Sequence, residues 1–184
     1  MLSVIFFFWQ KLSLLIFLGG LPLRIAVLSD THLTDTAEAQ AFLLYLVEDL
    51  LDPVDMIIHA GDMVALDLLA VFEGYPVHVV RGNMDPSSAE IPIKKVIDVS
   101  GFKIGLIHGW GPVEGIEERI YNEFSQHSLD CLVYGHSHVP VCHQRRGILF
   151  FNPGSATDRR NMPCHTVGLL EINTNISGTI IRLD

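Results

Sequence analysis

Short apolar runs that stop abruptly at a polar residue dominate the first half of the chain. Arg24–Ser29 (RIAVLS) ends at Asp30, Val54–His59 (VDMIIH) leads into Ala60-Gly61-Asp62, and Pro76–Val80 runs into Arg81-Gly82-Asn83. Short runs of this kind, bounded by turn formers, predict buried strands. Between the first two, Thr36–Leu51 carries Phe42, Leu43, Leu46, Val47, Leu50 and Leu51 at helical spacing, with Pro53 closing the helix. Val64–Phe72 predicts a second helix that stops near Gly74.

The pattern then changes to paired runs. Lys95–Val99 and Lys103–Ile107 flank Ser100-Gly101, a hairpin signal. Val113–Phe124 predicts a helix, and Cys131–Tyr134 a strand that stops at Gly135-His136. Val139–His143 and Ile148–Phe151 flank Arg145-Arg146-Gly147, and Thr166–Ile172 and Ile176–Leu183 form a last pair. Strands alternate with helices first and hairpins follow. This predicts mixed strands in two stacked sheets with helices outside, a layered α/β arrangement.

With 184 residues the chain suits one domain with a sizeable core. A 49% hydrophobic and 18% charged composition excludes a disordered chain. The net charge of −9, with basic pairs only at Arg145-Arg146 and Arg159-Arg160, leaves no footprint for duplex nucleic acid. An acidic protein can still bind a phosphate ester when metal ions supply local positive charge. Cys131, Cys142 and Cys164 are odd in number and widely spaced, which fits free thiols in a reducing, cytoplasmic setting.

Residues 1–23 (MLSVIFFFWQKLSLLIFLGGLPL) stand apart as an apolar extension preceding a domain over 24–184. A membrane anchor, a secretory signal and a translation start placed too far upstream all remain open. Gln10 and Lys11 interrupt the run, which counts against the anchor, and no A-x-A cleavage site supports the signal. Contact with a membrane is expected only if this segment is a real anchor. Homo-oligomerisation is left open.

The polar tips carry the chemistry. In order they are Asp30-Thr31-His32, Gly61-Asp62, Gly82-Asn83-Met84-Asp85, His108-Gly109 and Gly135-His136-Ser137-His138. Carboxylate, imidazole and amide oxygen together suit divalent ions such as manganese, iron, zinc or nickel. With no cysteine among them, a structural zinc finger is not expected. The metal candidates Asp30, His32, Asp62, Asn83, His108, His136 and His138 are too many for one ion and suit two that share a ligand. Lone histidines such as His78, His127 and His143 are expected to be ordinary surface or satisfied residues.

This ordered set resembles the D-x-H, G-D, G-N-x-D, H-G and G-H-x-H blocks of the calcineurin-like metallophosphoesterases. It is most similar to the small single-domain YfcE-type phosphodiesterase branch, and Asn152-Pro153-Gly154-Ser155 resembles a late block of that branch. The resemblance implies a four-layer α-β-β-α sandwich of two mixed sheets. It implies that Asp30, His32 and His138 hold one ion, that Asn83, His108 and His136 hold another, and that Asp62 bridges them. Manganese is the expected ion, with iron, zinc, nickel or magnesium as alternatives. The implied activity is hydrolysis of a small phosphodiester, or alternatively a phosphomonoester, by a bridging hydroxide. Asp62, Asn83, Asp85 and His108 are its implied catalytic residues, Asp85 by orienting a neighbouring ligand or the nucleophile. His59 is a candidate for a supporting role or for a plain buried histidine.

Two positions depart from the wider family. Met84 stands where many members have a histidine, and a thioether has no proton to give. Trp110 stands where several have a second histidine; it either walls the pocket or packs under the Gly109–Gly111 turn. A competing expectation is a non-catalytic interaction scaffold, because the retromer scaffolding subunit resembles the same fold. The intact set of ligand types favours the enzyme.

Overall fold

Residues 21–88 and 90–184 are described by the structure, a computed structural model. The expected apolar extension therefore lies, up to residue 20, outside the described residues. The strands are β1 (Leu23–Leu28), β2 (Met56–His59), β3 (Val77–Val79), β4 (Lys94–Val99), β5 (Phe102–Ile107), β6 (Cys131–Val133), β7 (Val141–Arg145), β8 (Ile148–Asn152), β9 (Thr166–Ile172) and β10 (Ile176–Arg182). They form two five-stranded sheets, ordered β10-β9-β1-β2-β3 and β4-β5-β6-β8-β7. Both are mixed. β1, β2 and β3 run parallel, as do β5, β6 and β8, while β9, β10, β4 and β7 pair antiparallel.

Side chains alternate between faces along a strand, and this sorts the apolar residues into layers. Ile25, Val27 and Ile58 of the first sheet meet Ile104, Leu106, Val133 and Phe151 of the second in a central core. Ala26, Leu28 and Ile57 point the other way, onto Leu43, Leu46 and Phe72. Leu132 and Phe150 face Ile116 and Ile120. Helical segments thus cover the outside of both sheets, which gives the expected four layers. Phe151 is fully buried, and its ring fills the space that a side chain at Gly168 or Gly178 would take. Phe151→Ala would cost about 3–5 kcal/mol by opening that space.

The helical cover is less regular than periodicity predicts. Helix α1 (Ala37–Leu44) is capped by Thr36, whose Oγ1 accepts the Ala39 N–H at 3.2 Å. It then widens into a π turn over Tyr45–Leu50, in which Leu51 N donates to Leu46 O at 3.1 Å. The helix expected over Val64–Phe72 is a 3₁₀ segment, Leu66–Phe72. It cannot begin at Val64, because that residue is left-handed (φ 78°) and its N–H is bound by Asp85. Helix α2 (Ile116–Glu123) starts later than the expected Val113 because Gly115 is itself left-handed. Among the described residues, no helix is long and apolar enough to cross a membrane. The three cysteines are free.

Candidate metal centre

The C-terminal ends of the parallel strands meet at one edge of the two sheets. β1 delivers Asp30, β2 delivers Asp62, β3 delivers Asn83, β5 delivers His108 and β6 delivers His136. Strand ends of this kind are where open α/β sheets place ligands. Backbone bonds continue the pairing past the strands: Asp30 N donates to Gly61 O, His32 N to Asp62 O, and Gly135 N to His108 O, at 2.9–3.0 Å.

Holding the side chains inward requires an unusual backbone. Asp30, His32, Asp62, His136 and His138 all adopt left-handed φ, between 45° and 67°. This region disfavours side chains other than glycine, and such strain persists only where surrounding bonds over-determine it. Close approach also needs two glycines. A Cβ on Gly82 would strike Asp62, and one on Gly135 would strike Ser29 Oγ and Asp30 Oδ2.

Two triads result, Asp30–His32–His138 and Asp30–Asp62–His108, each with ligand atoms within 4.8 Å of one another. Asp30 belongs to both. Asp62 Oδ2 also reaches toward both, 3.4 Å from His108 Nε2 and 3.9 Å from His32 Nε2. Asn83 and His136 lie outside the triads but face each other, with Asn83 Oδ1 3.0 Å from His136 Nδ1. The His108 and His136 rings are edge-on at 5.3 Å.

The protons can be assigned. His108 Nδ1 donates to Ala60 O at 2.8 Å, which turns Nε2 toward the aspartates, free to take a proton or a metal ion. That Nε2 is buried and has no hydrogen-bond partner. His138 Nδ1 donates to Asp158 O at 2.5 Å, so its Nε2 also faces inward, 3.3 Å from His32 Nε2. Opposed nitrogen lone pairs repel unless a cation or a proton lies between them. The donor set therefore fits a divalent ion in each triad, with imidazole orientation fixed from behind by backbone carbonyls.

Electrostatics point the same way. Burial alone would raise the Asp30 carboxyl, yet the His138 contact, His108 and Ser29 outweigh it and hold the group below its ordinary range. Asp62 behaves likewise: burial is overcome by His108, the Met84 N–H and His32. Burial pulls His108 and His138 down, but the aspartates outweigh it and hold both above the usual imidazole value. The pocket attracts positive charge.

Asp85 does not face the triads with a free carboxylate. Its oxygens accept the backbone N–H groups of Asp62, Val64 and Gly82 at 2.7–2.8 Å. It shapes the loop that carries Asp62. His59 is fully buried and pushed down to about 4 by that burial. Met84 and Trp110 are 58% and 42% exposed, so the indole is not packed beneath its turn.

Sequence reasoning assigned no role to several positioning groups. Asn152 Nδ2 donates to Gly135 O and Ser137 Oγ, and Ser155 Oγ donates to Asp30 O. Thr157 Oγ1 donates to Thr31 O. The Asn152–Ser155 block was a visible signal for two of these. Nothing local marked Thr157 or the Asp158 carbonyl.

Compared with known proteins, residues 23–175 match the model of the calcineurin-like phosphoesterase superfamily domain. The chain is 33% identical over 171 residues to a probable metallophosphoesterase of Methanocaldococcus jannaschii, covering 91% of this chain and 84% of the relative. It is 34% identical over 135 residues to a probable metallophosphoesterase of Methanothermobacter thermautotrophicus, covering 72% and 77%. Among solved structures it is similar to a predicted phosphoesterase from Streptococcus pneumoniae (TM-score 0.71, 26% identity, covering 88% and 90%). It is also similar to vacuolar protein sorting 29 of Entamoeba histolytica complexed with zinc (TM-score 0.62, 25% identity, covering 88% and 100%).

Proposed function

The chain belongs to the calcineurin-like phosphoesterase superfamily, and from that premise we propose that it is a metal-dependent hydrolase of a small phosphodiester. The observation that carries this reading is the buried, unpartnered His108 Nε2, aimed at Asp30 and Asp62 beside a second triad. A bound cation would satisfy that atom, and a metal-dependent hydrolase would use the cation in its chemistry.

In this reading Asp30, His32 and His138 would hold one ion, Asn83, His108 and His136 would hold the other, and Asp62 would be shared between them. Manganese is the proposed ion. When bound, two such ions polarise the phosphoryl oxygens and lower the pKa of a water nucleophile. The chain's own residues supply orientation. The Ala60 and Asp158 carbonyls fix the tautomers of His108 and His138, and Asp85 fixes the Asp62 loop. Met84 cannot protonate a departing alkoxide. The site thus suits an ester with a good leaving group or one protonated by solvent at its open mouth. The net charge of −9 argues against a nucleic-acid duplex as the substrate.

A scaffold reading is favoured by one observation, the similarity to vacuolar protein sorting 29. Hydrolysis of bis(p-nitrophenyl) phosphate separates the two. The full chain, stripped of metal and titrated with Mn²⁺, is expected to gain activity that saturates near two ions per chain. Asp62→Asn is expected to abolish it. A folded protein inactive with every divalent ion would move the conclusion to the scaffold.

A further inference from the structure

A groove of about 440 Å³ opens between the loop that follows His32 and helix α1 on one side and the Ala156-Thr157 segment on the other. Both its walls are segments that build the first triad. Leu33 directly follows His32, and Thr157 precedes Asp158, whose carbonyl holds His138. Thr157 Oγ1 also ties the two walls together by donating to Thr31 O. The groove and the first triad thus share their supporting loops, although no triad residue itself lines the groove.

The lining defines what fits. Leu33, Ala39, Phe42 and Ala156 make an apolar floor. Thr34 and Glu38 present exposed polar side chains at the rim. Among the described residues no lysine or arginine lines the groove, and the His165 imidazole is already paired with Asp184 at 3.1 Å. The Glu38 carboxylate at the rim disfavours an anionic substituent. The volume falls within the roughly 300–1,000 Å³ of small-molecule sites with apolar walls and few polar groups. We propose that this groove binds the alcohol side of the ester, an uncharged, partly apolar group of about nucleoside size. Its orientation toward the triad rests on the phosphoesterase reading above.

Two measurements on the full chain test this. Amide chemical-shift mapping with thymidine alone needs neither metal nor turnover. Perturbations are expected at Leu33, Thr34, Glu38 and Phe42, and are expected to disappear in Thr34→Trp, which fills the groove. Perturbations at Met84 and Trp110 instead, or none, would overturn the proposal. Kinetically, Thr34→Trp is expected to raise the KM for thymidine 5′-(p-nitrophenyl phosphate) at least 10-fold relative to its effect on p-nitrophenyl phosphate. An equal effect on both esters would also overturn it. A wild-type chain that cleaves no p-nitrophenyl ester at any metal loading would defeat the phosphoesterase reading, and the thymidine map would then decide the groove by itself.

Discussion

The buried imidazole of His59 lies 3.1 Å from the hydroxyl of Thr31, joining the end of β2 to the loop that carries Asp30 and His32. Its Nδ1 accepts the Gly61 N–H at 3.2 Å, so Nε2 bears the proton and donates to Thr31 Oγ1. Neutral His59 thereby links the two loops that contribute both aspartates.

Burial of this neutral imidazole makes stability depend on pH. Its folded value is about 4, against an unfolded value of 6.5. Between those values the unfolded chain binds the extra proton, so stability is fully present above 6.5 and is lost as pH falls toward 4. The loss is about 3 kcal/mol, from roughly 1.4 kcal/mol per unit. Urea denaturation of metal-stripped protein should show the gap between wild type and His59→Gln shrinking by about that amount from pH 7 to pH 4. A constant gap would mean that His59 is not buried neutral.

Asp85 should matter for stability before it matters for chemistry. Asp85→Ala leaves the N–H groups of Asp62, Val64 and Gly82 without their acceptor. The expected cost is on the order of 3 kcal/mol, since each unsatisfied buried donor costs roughly 1–3 kcal/mol and water can reach part of this loop. Asp85→Asn, which keeps one acceptor oxygen, should lose about half as much. Denaturant midpoints at unchanged slope are the readout, and a neutral alanine variant would show that the loop holds its shape unaided.

Gly135 tests the Asp30 position without touching a ligand. In Gly135→Ala the new methyl group would lie 2.6 Å from Asp30 Oδ2 and closer still to Ser29 Oγ. The carboxylate must shift. Supporting-shell changes typically cost 10–100-fold in metal affinity, and Mn²⁺ titration calorimetry should show a loss in that range with an unchanged circular dichroism spectrum. Wild-type affinity would argue that Asp30 is not a ligand.

Metal addition should stabilise the fold. An ion at 100 times its dissociation constant contributes about 2.7 kcal/mol per site. For a chain of this size each kcal/mol moves Tm by about 2–4 °C. One filled site should therefore raise Tm by roughly 5–10 °C, reversibly with a chelator, and Asp30→Asn should abolish the shift. An identical shift in that variant would place the ion elsewhere.

The local pattern was sufficient for the strands and for the polar tips. Thr166–Ile172 forms a strand with the expected bounds, and Asp30, Asp62 and His108 each follow an apolar run as expected. These features are legible because strand burial and strand ends are written in neighbouring residues. The 3₁₀ segment at Leu66–Phe72 was not legible. Its start is decided by the Asp85 contact with Val64 N, a residue 21 positions away.

Sequence alone thus determined which residue types converge: carboxylates, imidazoles and an amide at the ends of buried strands. The tertiary structure decided which of them meet. It placed Asp30 in both triads, set Asn83 against His136, and turned Asp85 from the site onto backbone N–H groups. It also held five of the site residues in left-handed backbone. No local preference specifies such a conformation. Only the sum of long-range bonds, such as Ser155 Oγ to Asp30 O across 125 positions, offsets its cost and aims the ligands inward.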